Sequence, residues 1–124
     1  MKRLWWIVIL SAALGCLDER ATAGILKVNL TMPNGAADGA ILLTVRGPAV
    51  PLSAAAGTGL RLFAQSLTST NHFAVTGTLA SGTILTIEVP DVSQASAYTA
   101  TIDQVAGSNY QLRALTGYSL TLAP

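Results

Sequence analysis

From Gly24 onward, apolar and polar residues alternate with a period of two in one short run after another. In residues 24–32, Leu26, Val28, Leu30 and Met32 alternate with Ile25, Lys27, Asn29 and Thr31. Such alternation predicts a half-buried β-strand. The same pattern returns at 40–46 (Ile41, Leu43, Val45) and at 60–64, where Leu60, Leu62 and Ala64 oppose Arg61 and Phe63. It returns again at 73–79, where Phe73, Val75, Gly77 and Leu79 oppose His72, Ala74, Thr76 and Thr78, and at 83–89 with Leu85, Ile87 and Val89. Two more runs follow, 98–103 with Tyr98, Ala100 and Ile102 inward and 117–122 with Tyr118, Leu120 and Leu122 inward.

Clusters of Gly, Pro, Asn, Asp and Ser separate the runs and mark turns. Residues 53–59 read as a small-residue loop, and 106–116 as a loop that Leu112 and Leu115 anchor. The short Ala80-Ser81-Gly82 connection predicts a hairpin between the runs at 73–79 and 83–89. No amphipathic helix of ten or more residues is visible. About seven short strands with regular turn signals predict an all-β chain, a single immunoglobulin-like or jelly-roll-like β-sandwich spanning 24–124.

The first residues follow a different rule. Lys2 and Arg3 precede an uncharged apolar run, 4–14, that includes Trp5, Trp6, Ile7, Val8, Ile9 and Leu10. The run is too short for a membrane-spanning helix, which needs roughly 20 apolar residues. It predicts a signal-peptide helix over 1–15. The sequence Ala13-Leu14-Gly15-Cys16, which ends in the only cysteine, resembles the lipobox of bacterial lipoproteins. Gly15 and Cys16 fit that pattern, and Ala13 stands where leucine is preferred. The resemblance implies cleavage between Gly15 and Cys16 and a diacylglyceryl group on the Cys16 sulfur. It further implies a lipidated tether at 16–23 and attachment to the bacterial cell envelope. Leu17 follows the cysteine where an aspartate would direct retention at the inner membrane, so a Gram-negative host implies the outer membrane. A second cleavage reading stays open: Ala21-Thr22-Ala23 before Gly24 is an ordinary A-x-A site, and cleavage there would release a soluble secreted protein.

Composition narrows the classes of partner. Charged residues make up 10% of the chain, against about 25% in ordinary soluble domains. From Cys16 on, Arg20, Lys27, Arg46, Arg61 and Arg113 are balanced by Asp18, Glu19, Asp38, Glu88, Asp91 and Asp103. No basic stripe is present, which argues against nucleic acid as a partner. With no cysteine besides Cys16, the domain holds no disulfide and no structural Cys-zinc site.

Two weaker likenesses bear on the fold. Tyr98, which opens a strand after a crossing segment, resembles the tyrosine corner of immunoglobulin-like sandwiches, with Ala100 in place of their cysteine. The run Val75-x-Gly77-x-Leu79-x-x-Gly82-x-Ile84-Leu85-Thr86-Ile87-x-Val89, with Tyr98 and Ile102 after it, is similar to the later strands of cohesin-like modules. That likeness implies binding of a protein partner at a bacterial surface.

Candidate chemistry is sparse. His72 is the only histidine, and no G-x-S-x-G elbow accompanies it, so it reads as an exposed turn residue. Glu88 and Asp91 read as a solvated edge carboxylate and a turn former. The stretch Asn34-Gly35-Ala36-Ala37-Asp38-Gly39 offers only two oxygen-bearing side chains around glycines and reads as an ordinary turn rather than a calcium loop. Both tryptophans lie in the leader, which leaves Phe63 and Tyr110 as candidate aromatic ligand-binding residues. The reading is therefore a lipid-anchored, non-catalytic interaction or structural module without a cofactor beyond its covalent lipid. Its expected partners are the membrane and an envelope protein or glycan. The alternative is a small carbohydrate-binding module.

Overall fold

Among the described residues, eight strands pair into two four-stranded antiparallel sheets that face each other. The computed structural model describes residues 21–33, 38–67 and 70–124; the signal-peptide helix, the Gly15–Cys16 cleavage site and Asn34 lie outside the described residues. The strands are β1 Gly24–Thr31, β2 Asp38–Arg46, β3 Ser53–Ala56, β4 Arg61–Ser66, β5 Thr70–Leu79, β6 Gly82–Val89, β7 Thr99–Gly107 and β8 Ser119–Ala123. A kinked 3-10 segment, Val92–Ala97, joins β6 to β7. The first sheet has the order β3-β6-β1-β8 and the second β4-β5-β2-β7. The chain is thus an all-β sandwich, and the pairings β4-β5-β2 and β3-β6 match D-E-B and C-F of an immunoglobulin domain. Beside β6, however, stands β1 rather than the strand that follows β6.

The alternating residues become the core because a strand sends every second side chain to one face. Leu26, Val28 and Leu30 of β1 meet Ile41, Leu43 and Val45 of β2 and Phe73, Val75 and Leu79 of β5, all buried. From β6 come Leu85, Ile87 and Val89, joined by Ile84. A register shift between Val28 and Asn29 lets Ile84 turn inward beside Leu85 while Thr83 donates to the Asn29 side chain at 2.6 Å.

Three expectations change. First, 53–56 is not a loop but a strand on the edge of β6, from Ser53 opposite Glu88 to Ala56 opposite Leu85. Its Ser-Ala-Ala-Ala sequence carries no large apolar residue, so backbone pairing rather than side-chain pattern holds it. Second, 73–79 and 83–89 do not form a hairpin. β5 pairs with β4 and β2, whereas β6 pairs with β1 and β3, and the link between them crosses from one sheet to the other. Gly82, at φ 130, supplies backbone that other residues rarely adopt. The two runs then pack face to face through the core. Third, Leu112 and Leu115 do not anchor their loop; they are 68% and 40% exposed.

Tyr98 is buried, and its hydroxyl meets the backbone amide of Ala49 on the connection after β2. In a tyrosine corner the partner lies a few residues upstream. The ring lies so close to Gly47 that a Cβ there would overlap its Cδ1 and Cε1 atoms.

One polar side chain sits poorly in the core. Asn71, 1% exposed, donates to the Val45 carbonyl across 3.5 Å, and its own Oδ1 has no partner among the described residues. A buried unpaired amide oxygen costs about 1–3 kcal/mol. Leucine keeps the same branching with no polar atom to leave unpaired, so Asn71→Leu is expected to raise the urea midpoint of unfolding. A lowered midpoint would show that the amide is satisfied.

Strand direction gives the sandwich two distinct ends. One end holds Gly24, the connection 47–52, Leu67 and the Val92–Ala97 segment. The other holds Asp38, residues 57–60, Ala80 and Ser81, and residues 108–118.

Candidate functional site

The outer faces of the two sheets differ in chemistry. On the first sheet the outward side chains are mostly polar: Lys27, Asn29 and Thr31 of β1 lie beside Thr86 and Glu88 of β6, with Ile25, Ala55 and Ala123 the apolar members. On the second sheet, outward Phe63 stands opposite Ala74, Ala74 opposite Leu42, and Leu42 opposite Gln104. Phe63 is 60% exposed and Leu42 42%. Leu112 extends this strip, because an isolated bridge sets it opposite Ala106, and residues 111–113 cover part of the β7 edge through Arg113 N–H to Val105 O at 2.8 Å. A shallow recess of about 290 Å³ opens between Phe63, Leu42, Gln65, His72 and Asp103.

A polar relay lies beside the apolar strip. Thr44 donates its hydroxyl proton to Asp103 Oδ2 at 2.6 Å. A hydroxyl has one proton, so Thr44 Oγ1 accepts from Nδ1–H of His72 at 3.0 Å. The bond thereby fixes a proton on Nδ1 and orients the ring. The register places His72 here: it faces Thr44 on one side and Gln65 on the other. A register shift between Leu42 and Leu43 inserts Asp103 as an extra β7 residue within reach of Thr44. His72 is thus an exposed residue within β5 rather than a turn residue. The one hydroxyl bonded to the ring among the described residues, that of Thr44, gives its proton to Asp103. What the arrangement supplies is an oriented hydrogen-bonding edge beside an apolar strip.

Tyr110 lies at the far end of the same sheet, 91% exposed, in the left-handed region at φ 64. It lines a separate recess of about 490 Å³ with Thr76, Thr78, Ser108 and Asp38. Phe63 and Tyr110 are therefore both exposed but do not share one recess.

The other candidates are engaged in structure. Asp91 caps the 3-10 segment through the Ser93 amide at 3.1 Å and the Ser93 hydroxyl at 2.6 Å. The Ser93 hydroxyl holds its carboxyl below the usual carboxylate range. Glu88 is half-buried and not on an edge: its strand lies between β3 and β1. Asp38 is buried, accepting Arg113 Nε–H at 3.0 Å and the Tyr118 hydroxyl at 2.6 Å. No cluster of three His, Cys, Asp or Glu side chains suits a metal among the described residues.

The sequence names Phe63 and Tyr110 as candidates, and both are exposed; it does not single out Leu42, Leu112 or the His72–Thr44–Asp103 relay. The outward position of Leu42 was legible from its place between inward Ile41 and Leu43. The relay was not, since it depends on a bulge and on two cross-strand registers. No family model matches the chain, and neither a curated protein nor a solved structure matches it.

Proposed function

We propose that the chain is a lipid-anchored protein of the bacterial cell envelope whose second sheet is the interaction face for a protein partner. The observation that carries the reading is the contrast between the two outer faces. One sheet shows water mostly polar side chains, while the other shows Phe63, Ala74, Leu42 and Leu112 beside an oriented imidazole. Exposed apolar strips rimmed by polar groups are a mark of association surfaces. The lipobox at Ala13-Leu14-Gly15-Cys16 supports the anchor, and the cohesin-like run supports a protein partner. A second reading has one observation in its favour. Tyr110, with the Thr76, Thr78 and Ser108 hydroxyls around one recess, offers the stacking ring and hydrogen bonds that a glycan uses.

The test is a single preparation from bacterial membranes of the full gene with a photoreactive phenylalanine at Phe63, and a control at Lys27. The expected unreacted species begins at Cys16 and carries acyl mass. Light is expected to produce a discrete protein adduct from Phe63 and none from Lys27, and Leu42→Asp is expected to abolish it. Equal labelling from the two sheets would remove the face assignment. A soluble species beginning at Gly24 would remove the anchor. Retention on a glycan that is lost in Tyr110→Ala would favour the second reading.

A further inference from the structure

We infer that the end of the sandwich nearest the leader is itself a membrane-contacting surface, so that the domain stands on the bilayer instead of swinging from its lipid. The inference rests on the anchor at Cys16 proposed above.

Three exposed apolar side chains gather at that end. Leu52 is 58% exposed, Leu67 51% and Val50 38%. Val50 and Leu52 belong to the connection from β2 to β3, and Leu67 follows β4, so all three sit where the strands turn. The connection reads Gly47-Pro48-Ala49-Val50-Pro51-Leu52 and carries no charge.

Part of its backbone also suits an apolar boundary, where unpaired donors are costly. Pro48 and Pro51 have no N–H. The Leu52 amide donates to the Glu88 carbonyl at 2.7 Å. Of the charges nearby, Asp91 is held by Ser93, Glu88 is half-buried between Ile25 and Ser53, and Arg46 is exposed, where it would favour anionic headgroups.

The tether brings this end to the bilayer. Thr22 is already part of the fold, because its carbonyl accepts Val92 N–H at 2.8 Å. Gly24 packs against the same valine, so closely that a Cβ there would lie 2.6 Å from Val92 Cβ. Only Leu17 to Ala21 then separate the lipidated cysteine from the docked chain. The six residue steps from Cys16 to Thr22 span at most about 21 Å. β1 alone, with eight residues, is about 27 Å long. The tether is too short for the domain to invert, and a short tether keeps the Leu52 end at high effective concentration near the surface. Weak interfacial affinity is then enough to hold it, and the Tyr110 end faces away.

The test uses the full chain, processed in bacteria and reconstituted into vesicles of phosphatidylethanolamine and phosphatidylglycerol. Acylated Cys16 offers no free thiol, so Leu52→Cys carries a single environment-sensitive dye. Val50→Cys provides a second probe at the same end, and Tyr110→Cys a control at the other. Dye at Leu52 or Val50 is expected to shift to the blue and lose most of its emission to lipids brominated roughly 5–10 Å below the headgroups. Dye at Tyr110 is expected to do neither. Protein that floats with vesicles while the Leu52 and Val50 dyes remain unquenched would overturn the contact and leave the anchor standing. Equal quenching at both ends would overturn the orientation. A blue shift that follows protein density but ignores bromination would identify a second copy as the occupant and overturn the inference. Protein that does not float would overturn the anchor and the contact together.

Discussion

Tyr98→Ala is expected to cost the domain roughly 3–5 kcal/mol, the range for emptying a buried aromatic site. A domain of this size has about 5–15 kcal/mol in total. The variant is therefore expected to be partly unfolded at 37 °C or to have lost most of its urea midpoint. The ring is 5% exposed, packs on Gly47 and directs its hydroxyl to the Ala49 amide. It thus fixes the β2–β3 connection to the start of β7, on the opposite side of a 3-10 crossing. Two companion variants separate the contributions. Tyr98→Phe keeps the ring and is expected to lose far less than Tyr98→Ala. Gly47→Ala inserts a methyl where the ring lies and is expected to cost about 1–3 kcal/mol through overpacking. If Tyr98→Ala moved the midpoint no more than an exposed substitution does, the ring's place in the core would be wrong.

Asp38→Ala is expected to cost roughly 2–4 kcal/mol, somewhat below the loss for a fully buried pair because Arg113 keeps access to water. The Asp38 side chain is 0% exposed and the Arg113 side chain 43%. The carboxylate joins the start of β2 to the β7–β8 connection through Arg113 and to the head of β8 through Tyr118. Its loss frees one end of the sandwich. The same cluster predicts how stability follows pH. Burial, followed by the hydrogen bond to Asp38, raises the Tyr118 hydroxyl above the usual tyrosine value of 10.0. The folded state therefore holds the proton longer than the unfolded chain. That contribution is fully present below about pH 10 and is lost as pH rises through the folded value. Urea midpoints measured between neutrality and alkaline pH are expected to fall above about pH 10. In Tyr118→Phe the fall is expected to be shallower, with the remainder belonging to Tyr98, whose hydroxyl burial also raises. An unchanged alkaline fall in Tyr118→Phe would assign the effect elsewhere.

The strands that carry large apolar residues were legible because alternation of side chains is a local property. Leu26, Val28, Leu30, Ile41, Leu43, Val45, Phe73 and Val75 all point inward as their spacing predicts. β3 was not legible, since alanine and serine give no contrast between faces. Nor was the partner of β5. The Ala80-Ser81-Gly82 link is as short as a hairpin loop, and only the competing pairings of β2 and β1 decide that it crosses between sheets. Phe63 could be seen as outward, but the strip it forms with Ala74 and Leu42 needs the order β4-β5-β2, which no single stretch encodes. The inward reading of Leu112 failed because a leucine in a loop was credited with burial, whereas the backbone of 111–113 binds the β7 edge and leaves the side chain outside.

The place of β1 between β6 and β8 also has a kinetic consequence. Lys27 must wait for Ala123, so the first strand to emerge completes its pairing only when the last has emerged. Folding governed by such distant contacts is slow, since chain closure must precede the contacts that reward it. For an exported chain that slowness is an advantage. Under the export proposed above, the polypeptide would stay unfolded while it threads the secretion channel and close into its sandwich only once β8 has crossed.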